Sequence, residues 1–213
     1  MILVLYNRIR ARLDSIAFES RMAALPDAFH PGIRKYKRPA DSLRSLAAKL
    51  LLQKAAEYFG LIEPYGYTVD SVNGRPFFSR QPDFDFSLSH SGEMAICAAS
   101  SVCRIGIDIE KNRGVDLDLF SSILSGDEFH TLRESATPDR DFFKLWCAKE
   151  AVAKTHGKGV FLPFASLKVE HGLCKLNEVC FTVKEITAAK GYTAMLAFEG
   201  EQNTTVDVRE VQF

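Results

Sequence analysis

Apolar and polar positions along this chain follow two periods, and the change from one to the other marks out its elements. The opening "MILVLYN" reads as a buried strand, and a helix is predicted over 15–25, ended by Pro26. A longer helix follows. Pro39 fits its first turn, Gly60 fits its end, and Leu43, Leu46, Ala47, Leu50, Leu51, Ala55, Tyr58 and Phe59 recur at helical spacing between them. Strand signals come next: "YTVDSV", then "RPFF" behind the turn pair Asn73-Gly74, then "FDFSLSH", in which Phe84, Phe86 and Leu88 alternate with Asp85, Ser87 and Ser89. "EMAICAAS" and "RIGIDIE" complete the run. Beyond it the same grammar returns, with helices predicted near 117–124, 127–134 and 139–156 and strands near 167–170, 176–184, 192–198 and 205–211. Helices followed by antiparallel strands, twice over, predict an α+β chain of two packed halves, 1–103 and 104–213.

Composition narrows the function classes. The 213 residues carry 27 basic and 27 acidic side chains, so there is no bulk positive field to draw in nucleic acid or anionic lipid. No apolar run reaches membrane-spanning length, and "MILVLYNRIR" lacks the layout of a signal peptide. Cys97, Cys103, Cys147, Cys174 and Cys180 form no C-x-x-C pair, and an odd count without an export signal points to reduced thiols in the cytoplasm.

The chemistry concentrates in "RIGIDIEKNR". Ile105, Ile107 and Ile109 form one face of a strand, and Gly106, Asp108 and Glu110 form the other. Residues two apart on a strand share a face at roughly 7 Å, close enough for two carboxylates to reach one hard cation, although a solvent-facing edge strand carries such acids too. In "FFKLWCAKEAVAKTHGKG", Phe142, Trp146, Glu150 and Lys154 lie on one side of a helix. An exposed Glu-Lys pair at this spacing is worth about 0.3–0.5 kcal/mol, but that explanation leaves the alignment with two core-seeking aromatics unaccounted for. Lys158 stands between Gly157 and Gly159. "SLSHSG" offers Ser89 and His90 either as phosphate contacts or as an ordinary Ser-rich turn. Arg75, between Gly74 and Pro76, is either an anion-binding fork or a solvated side chain. Ser125 and Glu128 have the spacing of a helix capping box.

Taken in order, "FSLSHS", "IGIDIE" and "LWCAKEAVAK" with its following "GKG" resemble the signature of the 4'-phosphopantetheinyl transferases of the Sfp type. That family shows a Gly-x-Asp-x-Glu strand and an aromatic-Ser/Cys-x-Lys-Glu-(Ala/Ser)-x-x-Lys helix. They correspond here to Gly106–Glu110 and Trp146–Lys154. The likeness covers residues 74–163 and extends more loosely to Arg44 in "RSLAAKLLL". It implies two similar α/β halves in one chain, a pseudo-dimer, each with a small mostly antiparallel sheet packed on helices and with the active site in the cleft between them.

It also implies an enzyme that moves the 4'-phosphopantetheine arm of coenzyme A to a serine of an apo acyl- or peptidyl-carrier protein, releasing adenosine 3',5'-bisphosphate. Asp108, Glu110 and Glu150 would hold Mg²⁺, with Glu150 also the favoured proton acceptor. Lys154 would meet the leaving phosphate, and Ser89 with His90 the nucleotide phosphates. Arg44, Arg75 (where the family commonly has Lys) and Lys158 are further candidates for coenzyme A contacts. Lys149 is a possible assistant that points elsewhere on its helix. Expected besides are a cytoplasmic monomer and no nucleic-acid or membrane partner. Two alternatives stand beside this reading: a different Mg²⁺-dependent phosphoryl or nucleotidyl transferase, and a non-catalytic protein that binds coenzyme A or a carrier.

Overall fold

A computed structural model describes residues 1–9, 14–61, 67–68, 75–159, 162–200 and 202–213. In chain order the elements are β1 (Ile2–Arg8), α1 (Ser15–Ala23), α2 (His30–Arg34), α3 (Pro39–Tyr58), β2 (Tyr67–Thr68), β3 (Phe77–Phe78), β4 (Asp85–Ser91), β5 (Met94–Ser100) and β6 (Ile105–Lys111). There follow α4 (Gly126–Glu134), α5 (Pro138–His156), β7 (Val169–Glu170), β8 (Leu173–Leu176), β9 (Val179–Ile186), β10 (Tyr192–Glu199) and β11 (Val206–Glu210). The Asn73-Gly74 turn and most of the "YTVDSV" strand fall outside the described residues. Short elements depart most from expectation. α2 spans too few residues to show a period, and the helix expected over 117–124 is a 3₁₀ turn at Leu117–Phe120. The strand expected over 176–184 is the second arm of a hairpin, turned through Asn177 at φ 54°.

The strands form two main sheets, ordered β11-β1-β5-β4 and β6-β10-β9-β8-β7. Alternation decides how they stack. Leu3 and Leu5 of β1, with Ala95, Cys97 and Ala99 of β5, face α3 and its buried Leu46, Leu51 and Leu52. Ile2 and Val4, with Met94, Ile96 and Ala98, face the other sheet, where they meet Ile105, Ile107 and Ile109 of β6 and Leu196 and Phe198 of β10. The far face of the second sheet, including Phe181, Val183 and Ala197, packs on Ala148, Ala151 and Val152 of α5. The layers therefore run helix, sheet, sheet, helix, an α+β architecture. The three isoleucines are fully buried at the seam between the sheets.

One strand corrects the expected organisation. The tail was expected to complete the second half, yet β11 returns to the first sheet and pairs in parallel with β1, from Ile2↔Val206 to Tyr6↔Glu210. β1 has β5 on one edge only, and the tail supplies the partners for the other. Between β5 and β6 the chain passes from one sheet to the other, in a turn where the Ser100 hydroxyl accepts the N–H groups of Val102 and Cys103.

β6 and α5 touch almost backbone to backbone. A Cβ on Gly106 would lie 2.1 Å from the Ala151 carbonyl oxygen and 2.6 Å from Thr155 Oγ1. A glycine at this position lets the backbone of α5 approach the strand closely.

Candidate active site

The acids of β6 lie where β4, β6 and α5 converge. Asp108 is only 6% exposed. Its Oδ1 accepts hydrogen bonds from Ser89 Oγ at 2.8 Å and Lys154 Nζ at 2.7 Å, while its buried Oδ2 has no hydrogen-bond partner among the described residues. Lys154 Nζ also donates to the Ile107 carbonyl at 3.0 Å. Two residues further along β6, Glu110 Oε2 accepts from Ser91 Oγ at 2.6 Å and stands 3.8 Å from Arg113. Glu150, one turn before Lys154 on α5, is half-buried, and its side chain makes no hydrogen bond or ion pair among the described residues. Burial pushes its carboxyl above the ordinary value; Lys154 draws it back, and the charges of Asp108 and Glu110 push it higher. Glu110 is raised too, chiefly by burial and with the charge of Asp108 pushing the same way, against the pull of the Ser91 hydrogen bond. Glu150 thus feels the charge of both acids of β6, and Glu110 feels that of Asp108.

The sequence explains why α5 presents Glu150 and Lys154 here. Phe142 and Trp146 stack at a centroid distance of 6.2 Å, and Trp146 meets Phe164 at 5.8 Å. These contacts fix the rotation of the helix, which stops at Gly157 in the left-handed region at φ 86°.

A cationic group adjoins the acids. Burial lowers the His90 pKa, and the charges of Arg44, Lys49 and Lys154 lower it further. Lys49 was not foreseen from sequence. It sits on α3, its Nζ donates to Ser45 Oγ at 3.1 Å, and no carboxylate pairs with it among the described residues. Burial, with help from Lys35, brings its pKa down to about 8. The available signal was a lysine set inside "LAAKLLL", the most apolar stretch of that helix. Arg44 donates to the Gly92 carbonyl at 3.0 Å and pairs with Asp41. It lines a cavity of about 1270 Å³ together with Arg34, Lys37 and Arg38.

Lys149 faces away from this site. It is 1% exposed, and its Nζ donates to Glu128 Oε2 at 2.7 Å and to the Phe164 carbonyl at 2.8 Å. The same Glu128 oxygen accepts the Ser125 N–H at 2.7 Å and so closes the predicted capping box of α4. Glu128 therefore caps a helix and neutralises a buried lysine at once. Lys149→Met is expected to cost about 3 kcal/mol in urea unfolding, because it leaves the carboxylate without its cation. Lys149→Met combined with Glu128→Gln should recover part of that loss.

Residues 104–194 match the model of the 4'-phosphopantetheinyl transferase superfamily. A 4'-phosphopantetheinyl transferase of Bacillus subtilis is 33% identical over 152 residues, which span 70% of this chain and 67% of that one. The chain belongs to the 4'-phosphopantetheinyl transferase superfamily. The transferase gsp of Aneurinibacillus migulanus is 28% identical over 180 residues, 80% of this chain and 72% of its own. Sfp of Bacillus subtilis (strain 168) is 38% identical over 98 residues, 45% of this chain and 43% of that one.

Within this phosphopantetheinyl transferase fold, two expected ligand contacts are already engaged inside the protein. The Ser89 hydroxyl is held between Asp108 and the Ile109 N–H. Arg75 pairs with Asp85 and donates to the carbonyls of Ile105 at 2.9 Å and Thr155 at 3.3 Å, so its fork ties β6 to the end of α5. It is a brace rather than an open anion receptor. Lys158 is exposed beyond the α5 cap, and its charge acts on His156.

Among the described residues, no group of three or more His, Cys, Asp or Glu side chains is drawn together tightly enough to enclose a metal ion. Mg²⁺ held with substrate phosphates and water asks less, commonly one or two protein carboxylates. The unpartnered Asp108 Oδ2, beside two more acids, fits that requirement.

Proposed function

We propose that this chain transfers the 4'-phosphopantetheine arm of coenzyme A to a serine hydroxyl of an apo acyl- or peptidyl-carrier protein, with adenosine 3',5'-bisphosphate as the other product. The observation that carries the reading is Asp108: one oxygen is engaged by Ser89 and Lys154, and the other is buried with no hydrogen-bond partner among the described residues, near Glu110 and Glu150. Clustered acids would repel an anionic substrate unless a divalent cation stood between them. Asp108, with Glu110 and Glu150, would hold Mg²⁺, which when bound withdraws charge from the pyrophosphate.

The chain's own groups supply the rest. As the serine oxygen bonds to phosphorus and the bridging P–O bond breaks, negative charge grows on the departing phosphate. Lys154 is a fixed cation placed to receive that charge without reorganising. Lys49 and Arg44 give the nucleotide phosphates a positive wall, and the His90 imidazole beside them offers a hydrogen bond. Glu150, half-buried and with its carboxyl raised above the ordinary value by burial, takes the serine proton. All these residues come from one chain, in keeping with a monomer whose two halves meet at the site. Free thiols, five in all, suit a cytoplasmic setting. No helix among the described residues is long and apolar enough to cross a membrane.

The test is incubation with coenzyme A, Mg²⁺ and a panel of apo-carriers, followed by intact mass. One carrier should gain the phosphopantetheine mass, and its Ser→Ala variant should not. Turnover of nucleoside triphosphates with no carrier modified would instead favour a different phosphoryl or nucleotidyl transferase.

A further inference from the structure

β6 is an edge strand of its sheet, with β10 on one side. Its other edge carries outward N–H groups that a neighbouring strand would ordinarily accept. Here a row of side chains does so. The N–H of Ile105 reaches Asp85 Oδ2 at 2.7 Å, that of Ile107 reaches Ser87 Oγ at 3.0 Å, that of Ile109 reaches Ser89 Oγ at 3.3 Å, and that of Lys111 reaches Ser91 Oγ at 3.1 Å. Every acceptor lies on one face of β4, the edge strand of the other sheet. The "DFSLSHS" alternation is therefore a ladder between one backbone and four side chains, with a constant offset of 20 residues.

A serine oxygen that accepts an N–H still has one proton to give. Ser89 gives its proton to Asp108 Oδ1 at 2.8 Å, and Ser91 gives its own to Glu110 Oε2 at 2.6 Å. Ser87 accepts in the same way but lies opposite Gly106, where there is no carboxylate to receive a proton. We propose that Ser89 and Ser91 are positioning residues for divalent-cation binding: each engages one oxygen of its acid and so leaves the other, Asp108 Oδ2 above all, for the ion. The backbone N–H fixes the serine, the serine fixes the carboxylate, and the carboxylate presents its remaining oxygen. Serines of the first sheet thereby set the ligands of the second, and cation affinity depends on the two sheets being docked. This inference rests on the divalent-cation reading given above.

Ser87 provides the control, since its removal costs an N–H acceptor and touches no acid. The experiment is an Mn²⁺ titration of the full chain by EPR, with and without coenzyme A, alongside thermal unfolding. Ser89→Ala should weaken Mn²⁺ binding about ten-fold, in the range seen when groups behind a metal ligand are lost. Ser91→Ala should weaken it in the same direction, and Ser89→Thr, which keeps a hydroxyl, should restore it. Ser87→Ala should lower the unfolding temperature about as much as Ser89→Ala while holding the Mn²⁺ affinity within about two-fold of wild type. Equal affinities for wild type, Ser89→Ala and Ser91→Ala would overturn the inference and leave the cation reading intact. Equal weakening by Ser87→Ala would reduce the serines to fold elements, and that too overturns it. If wild type itself bound no Mn²⁺ under either condition, the cation reading would fall and the inference with it.

Discussion

Asp108→Asn is expected to lower kcat/KM for carrier modification by at least about 10³-fold, or about 4 kcal/mol of transition-state stabilisation, while the chain stays folded. Asparagine has nearly the same shape, so the seam between the sheets is not opened. What changes is charge. The one carboxylate that meets both a serine from β4 and the lysine of α5 becomes neutral, and its unpartnered Oδ2 position no longer offers an anionic oxygen. Lys154 keeps its carbonyl contact to Ile107, and its side chain is 29% exposed, so water can moderate the unbalanced cation and limit the stability loss. Circular dichroism and unfolding temperature would establish folding, and intact carrier mass against time would give the rate. A variant within ten-fold of wild type would remove Asp108 from the centre of the proposed chemistry.

The acids and their strand were legible because a period of two assigns a face to every residue, and the isoleucines left no choice about which face lay in the core. The α5 face was legible for the same reason, since Phe142 and Trp146 committed the helix and carried Glu150 and Lys154 with them. Periodicity says which way a side chain points but not what stands opposite. Ser89 points as the alternation of β4 requires, yet it meets Asp108 rather than open space for a phosphate. Arg75 is a rigid fork, as its setting implied, but its acceptors are Asp85 and two backbone carbonyls.

Long-range choices left no local trace at all. Nothing within residues 206–210 says that β11 will pair in parallel with β1, because an edge strand accepts any chain of suitable length and pattern. The buried Lys149 was visible as a charge beside Glu150, but its partner Glu128 is 21 residues away and already had a sufficient local explanation as a helix cap. Lys49 was missed because a lysine beside an apolar stripe commonly reaches solvent along its own stem.

The seam between β6 and α5 carries the second large effect. A methyl group at position 106 would stand 2.1 Å from the Ala151 carbonyl oxygen and 2.7 Å from the Thr155 nitrogen, and both are helix backbone. A flexible side chain could swing away, but these atoms move only if α5 moves as a unit. α5 is pinned on its far side by the Phe142, Trp146 and Phe164 rings and at its end by the Thr155 hydroxyl, which donates to the Ala197 carbonyl at 3.1 Å. Gly106→Ala is therefore expected to cost about 3 kcal/mol in urea unfolding, the upper end of ordinary overpacking. The activity loss should exceed what that instability explains. Asp108 and Glu110 ride on β6 while Glu150 and Lys154 ride on α5, so a shift of about 1 Å between the two elements separates the acids from the lysine and lowers turnover about 10²-fold even where the protein is fully folded. Rates measured well below the variant's unfolding temperature separate the two effects. A Gly106→Ala enzyme of wild-type stability and rate would show that the strand and helix do not approach as closely as described.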